Sequence, residues 1–418
     1  MSSKIAGYRS LADQKQYLKL IAANTVSRFG DSLDAIAFSW VMYQVTGSAS
    51  LIALILAFNF LPTILLQPFA GVLADRIPKR KVMVLCDFGR AFMVCLTVAL
   101  YLLNWLNAVT LIGITLLNST LESLRCPAGV AIIPKILDRE KFTAGTALNQ
   151  TLCRVTELIG MAAAGGIIAF LGNSAALLID AGTFLFSGII IGWIRLEEAP
   201  FQKSGGSIHQ TLSQFGKELA DGFRYLKSNR LLLCIIILGA FMNFSATPIS
   251  AFQTPYLAEN LHFGPEMLSA LGIAMTAGMG IGAFLTPKLT REKSGKPAFV
   301  LCGFVQVLFF LALWMLPEVT ALWLLTGTLI AGFVLFGFTV GAQNVIFSAA
   351  FMSNVTDELM GRISGIVNAV LCCMVPLGSL LCSLLAAFLP IPVAFLICAV
   401  TVAVIYSVVA GMKIFRQM

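Results

Sequence analysis

Stretches of about 20 apolar residues, the length that crosses a hydrocarbon core, recur from residue 18 almost to the carboxyl terminus with short polar breaks between them. Of 418 residues, 58% are hydrophobic and only 11% are charged, and the mean hydropathy of +0.89 agrees with that balance. A soluble fold could not bury so many apolar segments, so the chain reads as an all-α polytopic membrane protein with no room for a separate soluble domain. Windows of about 19 residues place twelve transmembrane helices near 18–45, 50–74, 82–104, 108–133, 143–171, 173–195, 231–258, 265–288, 298–316, 320–350, 363–389 and 391–411. They form two six-helix bundles, 18–195 and 231–411, with a linker at 196–230, an amino-terminal segment at 1–17 and a tail at 412–418.

The net charge of +8 is distributed as topology requires rather than as a nucleic-acid face. Lys4, Arg9 and Lys15, the cluster Arg76 to Lys81, Lys135 with Arg139 and Lys141, the linker, Lys288 to Lys296, Arg362, and Lys413 with Arg416 all fall on one side. The connections near 46–50, 105–107, 172–173, 259–264, 317–319 and 390 carry no Lys or Arg. Because cations are retained inside, both termini are expected in the cytoplasm of a cell (inner/cytoplasmic) membrane. Residues 1–17 also lack the order of a cleaved signal. In the linker, Ile208, Leu212, Phe215, Leu219, Phe223 and Leu226 make a helical stripe, with Lys217, Arg224 and Lys227 placed to reach headgroups. An amphipathic helix lying on the lipid surface is expected there.

The halves read as copies. Asn149-Gln-Thr-Leu-Cys153 falls on Asn368-Ala-Val-Leu-Cys372 and Asp138 on Asp357 at an offset of 219, and Leu73-Ala-Asp-Arg76 falls on Leu289-Thr-Arg-Glu292 at 216. Parallel repeats of this kind place a central cavity between two bundles.

Ionisable residues within the spans carry the chemistry, since each costs roughly 2.5–3.5 kcal/mol on insertion scales unless it is paired or wet. Arg28 and Asp31, Asp87 and Arg90, Glu122 and Arg125, and Arg154 and Glu157 stand three residues apart, the spacing at which opposite charges meet on one helix. Four Arg against six acids leave Asp34 and Asp180 without an in-helix cation. An unpaired carboxylate in a dry setting can take up a proton and couple it to a conformational change, which makes Asp34 the first proton-coupling candidate, followed by Asp31, Glu122 and Glu157. Structural bracing or gating is the competing role for the paired groups. Candidates for the substrate cavity are Arg28, Arg125 and Arg154 in the first half, and Asn243, Gln343, Asn344, Phe241 and Tyr256 in the second, whose spans hold no charge away from their ends. One charged wall and one aromatic, amide-bearing wall suit an amphipathic organic compound. Pro248, Pro255 and the run Gly272, Gly278, Gly280 and Gly282 allow either close packing or hinge bending in spans seven and eight.

Three stretches carry a resemblance. Gly71, Leu73, Ala74, Asp75, Arg76, Arg80 and Lys81 resemble the signature between the second and third helices of the major facilitator superfamily, with Pro78 where the family usually has Gly. Thr46-Gly47-Ser48-Ala49, and the run from Glu218 to Leu226, resemble the branch that includes macrolide-efflux and enterobactin-export proteins. The similarity runs from about Arg28 to Arg362. It implies the twelve-helix major facilitator fold, a first span and hence an Asp34 that line the cavity, and a cytoplasmic gate in which Asp75 meets the start of the eleventh helix near Arg362. Gly71, Arg76, Arg80, Asp87 and Arg90 are the other gate candidates. Gly160-Met-Ala-Ala-Ala-Gly165-Gly166 resembles the family's antiporter signature but has Met161 where Pro is usual.

The expectation is a secondary active exporter of a drug-like, macrolide-like or siderophore-like compound, working by alternating access with proton antiport. Its partners are then the organic substrate, protons and lipid bilayer. Ten cysteines without CxxC spacing, two loop histidines (His209 and His262) and no P-loop imply no metal, cofactor or direct ATP use. A non-transporting sensor or a membrane-embedded enzyme on the same scaffold is the alternative; the first would need an added soluble domain and the second a nucleophile-base constellation.

Overall fold

The computed structural model describes residues 11, 13–76, 78–196, 230–289, 295–355 and 357–412, without the side chains of 67–76, 139, 143, 288–289, 357–362 and 364–366. The linker helix expected over 208–226, the tail cations, and the side chains of Gly71, Asp75, Arg76 and Arg362 therefore lie outside the described residues.

Among the described residues every regular element is helical. The helices are α1 (Lys15–Thr46), α2 (Ala49–Arg76), α3 (Lys79–Leu102), α4 (Ala108–Ile136), α5 (Phe142–Gly192), α6 (Arg230–Pro255), α7 (Pro265–Leu289), α8 (Gly295–Met315), α9 (Leu322–Asn354), α10 (Asp357–Phe388) and α11 (Ile391–Gly411). The 51 residues of α5 are two spans, because Gly172 takes φ 83° and ψ 168°, a conformation open to glycine and closed to a helix. Its arms, 142–171 and 173–192, bring the number of membrane-length segments to the twelve that the apolar runs imply. Nine of the described helices are long and apolar enough to cross a membrane on those grounds alone. The two remaining, α1 and α4, are helices with charged residues along their length: exposed Arg28 and half-buried Asp31 and Asp34 on one, half-buried Glu122 and Arg125 on the other.

Local chemistry sets the ends of these helices. Gly47, at φ 56°, caps α1 in the left-handed conformation and donates its N–H to the Tyr43 carbonyl. Asn107 and Thr110 form a reciprocal capping box at the start of α4, and Pro78 and Pro390 precede α3 and α11. Helix α6 passes Pro248 unbroken, then widens after Pro255 into a π-helical turn, Tyr256–Asn260.

By internal contacts the chain divides into two compact units, Met1–Gly47 with Phe58–Gly206, and Ser48–Ala57 with Ser207–Met418. In the first, α5 packs on α1 and α3, and α3 also packs on α4; in the second, α6 packs on α10, and α8 on α9 and α11. With α5 counted as spans five and six, the pairings one with five, three with four and three with six recur as seven with eleven, nine with ten and nine with twelve. Individual contacts recur as well. Gly160 lets span five approach Ser32 and the Phe29 carbonyl, whereas 218 residues later Gly378 lets span eleven approach Thr247. Cys153 lies 4.0 Å from the Asn149 amide oxygen, and Cys372 lies 3.9 Å from that of Asn368. The two six-helix bundles are pseudo-symmetric.

Alternation of the spans is visible within the first unit. At one end Lys19 donates to the Trp193 carbonyl at 2.8 Å, Arg80 to the Ile194 carbonyl at 2.9 Å, and Gln14 to Asp138 at 2.6 Å. At the other end Gln44 accepts from Tyr101 at 2.8 Å and from Asn173 at 2.9 Å, with no cation among these groups.

Of the two readings open for the glycines of spans seven and eight, close packing applies to Gly278 and Gly282, which lie against the backbone of Val334 and Phe338 in α9; in return Gly337 and Gly341 of α9 lie against Met275 and Met279 of α7. A side chain at any of the four would strike a carbonyl oxygen. Substituting Gly341→Ala is expected to cost about 1–3 kcal/mol, read as a lowered unfolding midpoint of the purified protein in detergent. Gly280→Ala, which meets nothing within 4 Å, should leave that midpoint in place.

Candidate functional site

The charges of the first unit are brought together, but two of the four expected in-helix pairs do not form. Arg28 and Asp31 do meet, at 3.7 Å, and Arg154 meets Glu157 at 2.9 Å. Asp87 and Arg90 instead part company. The Asp87 carboxylate, fully buried, binds Arg125 of α4 and accepts from Ser187 of α5 at 2.6 Å. Arg90 donates to Asp31 of α1 at 3.0 Å and to Asn118 of α4 at 3.3 Å, with its guanidinium 4.0 Å from the centre of the Phe184 ring. The reason is geometric: a pair three residues apart satisfies one edge of a guanidinium, whereas partners on neighbouring helices satisfy several. Arg125 likewise reaches Asn24 of α1 at 3.4 Å and Ser187 at 3.3 Å as well as Asp87, leaving Glu122 without the pair that its spacing implied.

Two linked knots result. In the first, Asp87, Arg125, Ser187 and Asn24 tie α3, α4, α5 and α1 together. In the second, Asp31, Arg90, Asn118 and Phe184 tie the same four helices one step along. Asp180, fully buried, sits beside them, its Oδ1 3.4 Å from the Thr183 hydroxyl and its Oδ2 without a hydrogen-bond partner. Gly30 makes room for it: a side chain there would strike Thr183 and Asp180.

Asp34 enters no ion pair among the described residues. It lines a cleft of about 40 Å³ with Asn59, Thr97, Thr115 and Asn118, so the second knot shares Asn118 with the cleft. These polar neighbours, like Asn24 and Ser187, escape a search for charge alone. The signal that marks them is an uncharged amide or hydroxyl inside an otherwise apolar run.

Among the described residues, the buried polar side chains of the second unit are uncharged. Gln306 donates to Gln343 at 2.9 Å and to Thr339 at 3.2 Å; Gln343 donates to the Tyr406 hydroxyl at 2.7 Å and to the Phe299 carbonyl at 3.3 Å. Gln343, 1% exposed, thus clamps α8, α9 and α11. Tyr256 is also buried, its hydroxyl donating to the Leu313 carbonyl at 2.5 Å and its ring edge-on to Phe395. Asn243, Gln343 and Asn344 line one cleft of about 70 Å³ together with Gln306, Phe336 and Phe347. Asn344 is exposed, Asn243 donates weakly to the Leu371 carbonyl at 3.4 Å, and Phe241 stands 40% exposed, away from Tyr256.

Twelve membrane-length segments in two repeated bundles, with the buried charge of the described residues confined to the first unit, make a polytopic membrane scaffold. Residues 20–379 match the Major Facilitator Superfamily family model, and the chain belongs to that family. It is 24% identical over 372 residues to the MFS-type transporter YvqJ of Bacillus subtilis, covering 88% of this chain and 85% of that one. Macrolide efflux protein A of Streptococcus pyogenes is 22% identical over 382 residues, covering 89% of each chain. Among solved structures, the nucleoside transporter NupG superposes with a TM-score of 0.73 at 12% identity, over 95% of this chain and 100% of that chain.

Removing the acid of the first knot should expose its weight. Asp87→Ala leaves the Arg125 guanidinium without its counter-charge and is expected to destabilise the protein by about 3–5 kcal/mol. The double variant Asp87→Ala/Arg125→Met should regain more than half of that loss in a detergent unfolding series. Additive losses would mean that the pair is not coupled.

Proposed function

We propose that this transporter exports an amphipathic organic compound from the cytoplasm by alternating access, driven by proton entry, and that Asp34 carries the coupling proton. One observation supports the reading above the others: Asp31 and Asp87 are held by guanidinium groups, buried at Arg90 and half-buried at Arg125, whereas Asp34, one turn along α1 from Asp31, has no ion pair among the described residues and faces a polar cleft. A carboxyl group so placed can exchange its proton without first breaking a salt bridge. Macrolide efflux protein A supplies the cargo class by analogy. Arg28 and Arg154, whose side chains are 49% and 74% exposed, with Asn344 and Phe241 are the proposed cargo contacts.

Glu157 and Glu122 are then secondary proton sites. Asp75, Arg76 and Arg362 are the proposed inner gate with Gly71 and Arg80, and the segment 196–230 is the proposed surface-lying connection between bundles 18–195 and 231–411. Both termini are proposed to face the cytoplasm, since Lys19, Arg80 and Arg195 gather at the end of the first unit where α1 begins.

In proteoliposomes with an imposed pH gradient, the wild-type chain should move a macrolide or a cationic dye against its concentration. Asp34→Asn is expected to bind cargo but lose at least ~10-fold of the gradient-driven rate, as removal of a general proton carrier does. Unchanged transport with an unchanged pH profile in that variant rules Asp34 out. For orientation, a carboxyl-terminal green-fluorescent fusion should fluoresce and a periplasmic phosphatase fusion at the same point should be inactive; the reverse pattern would invert the topology.

A further inference from the structure

We propose that the cleft at Asp34 is a sodium-ion site in which Na⁺ and the coupling proton compete for one carboxylate. The inference rests on the Asp34 reading above and adds a second ligand to it. The polar wall of the cleft is wholly oxygen-bearing and comes from four helices of one unit: the Asp34 carboxylate on α1, the Asn59 amide on α2, the Thr97 hydroxyl on α3, and the Thr115 hydroxyl and Asn118 amide on α4. The rest of the wall is apolar, and no Lys or Arg lines it. One carboxylate among neutral oxygens balances a single positive charge, and divalent ions, which favour more acidic or more hydrated sites, are matched less well.

Thr115 points to an occupant independently of the acid. Its side chain is 3% exposed and its hydroxyl has no hydrogen-bond partner, although buried polar atoms are almost always satisfied by protein, water or ion. Its neighbours retain acceptor capacity. Thr97 donates its own proton to the Met93 carbonyl at 2.9 Å, leaving its lone pairs free, and the Asn118 oxygen takes only one bond, from Arg90. The volume, about 40 Å³, admits an ion with one or two waters.

The charged groups that act on Asp34 are Arg90 of α3, Asp31 of its own helix and Glu122 of α4, with Asp180 of α5 interacting in turn. Arg90 acts on Asp34 through space but gives its ion pair to Asp31 at 3.0 Å, so among the described residues no side chain is salt-bridged to Asp34 and its oxygens are open to a mobile cation. Na⁺ stabilises the deprotonated form and the proton displaces it, so the two cannot occupy the site together.

The test uses the full chain purified in detergent, with sodium chloride compared against choline chloride and potassium chloride. At about pH 8 and about 100 mM salt, sodium is expected to raise the unfolding midpoint by ~2–4 °C over choline, as a ligand specific for the folded state does. The increment should fade by about pH 5, where protons outcompete it. Asp34→Asn should abolish the increment. Thr115→Val, which removes a hydroxyl with no bond to lose and so leaves folding intact, should reduce it at least ~3-fold. In proteoliposomes, sodium should move the pH of half-maximal transport to lower values. Equal midpoints in sodium and choline, or a sodium increment that survives both substitutions, overturns the proposal. Proton-driven transport that persists without any sodium effect would remove the ion site and leave the coupling role of Asp34 standing. Transport that ignores Asp34→Asn would remove the coupling role instead, whatever sodium does to stability.

Discussion

A guanidinium inside a bilayer must be bonded on several sides at once, and the first unit is arranged to meet that requirement. Arg90 spends its donors on Asp31 and Asn118 and lays its plane by Phe184; Arg125 spends its own on Asp87, Ser187 and Asn24. These partners come from α1, α3, α4 and α5, so the same bonds that make the charges tolerable hold four helices in register. Gly30 and Gly160 serve the same end sterically, by letting α5 close on α1 where the polar groups must meet. The second unit solves the packing problem with amides, through Gln306, Gln343 and Tyr406, and with backbone contact at Gly278, Gly282, Gly337 and Gly341.

Periodicity and charge placement made the architecture legible. The break at Gly172, the cap at Gly47 and the offset near 219 all stand in the chain as plainly as in the fold, because each depends on local chemistry or on repetition. The pairing of charges was not legible. Spacing of three residues correctly joined Arg28 to Asp31 and Arg154 to Glu157, yet it could not foresee that Asp87 and Arg90 would turn to other helices, since the choice depends on which faces oppose each other in three dimensions. Gln343 and Tyr256 read from the sequence as substrate-cavity candidates, but their amide and hydroxyl bonds are taken up inside the second bundle. Asn118 and Thr115 carry no charge to mark them in the sequence, although both line the same cleft as Asp34.

The two bundles share helix pairings and even single contacts, as at Gly160 and Gly378, but have diverged in what fills the space between helices. A repeat whose interior is ionic can respond to protons, while one whose interior is amide and aromatic presents a constant surface. The shared scaffold preserves backbone geometry, and the side chains divide the labour.

This separation has an electrical consequence. Away from the helix ends, every Asp, Glu, Lys and Arg of the spans stands in the first bundle, and only displaced charge does work against a transmembrane voltage, about 2.3 kcal/mol per elementary charge per 100 mV. Within the spans the membrane's electric field therefore pulls chiefly on one bundle, and a current that accompanies turnover is carried by rearrangement of that bundle, by the ions it binds or by the charge of the cargo itself.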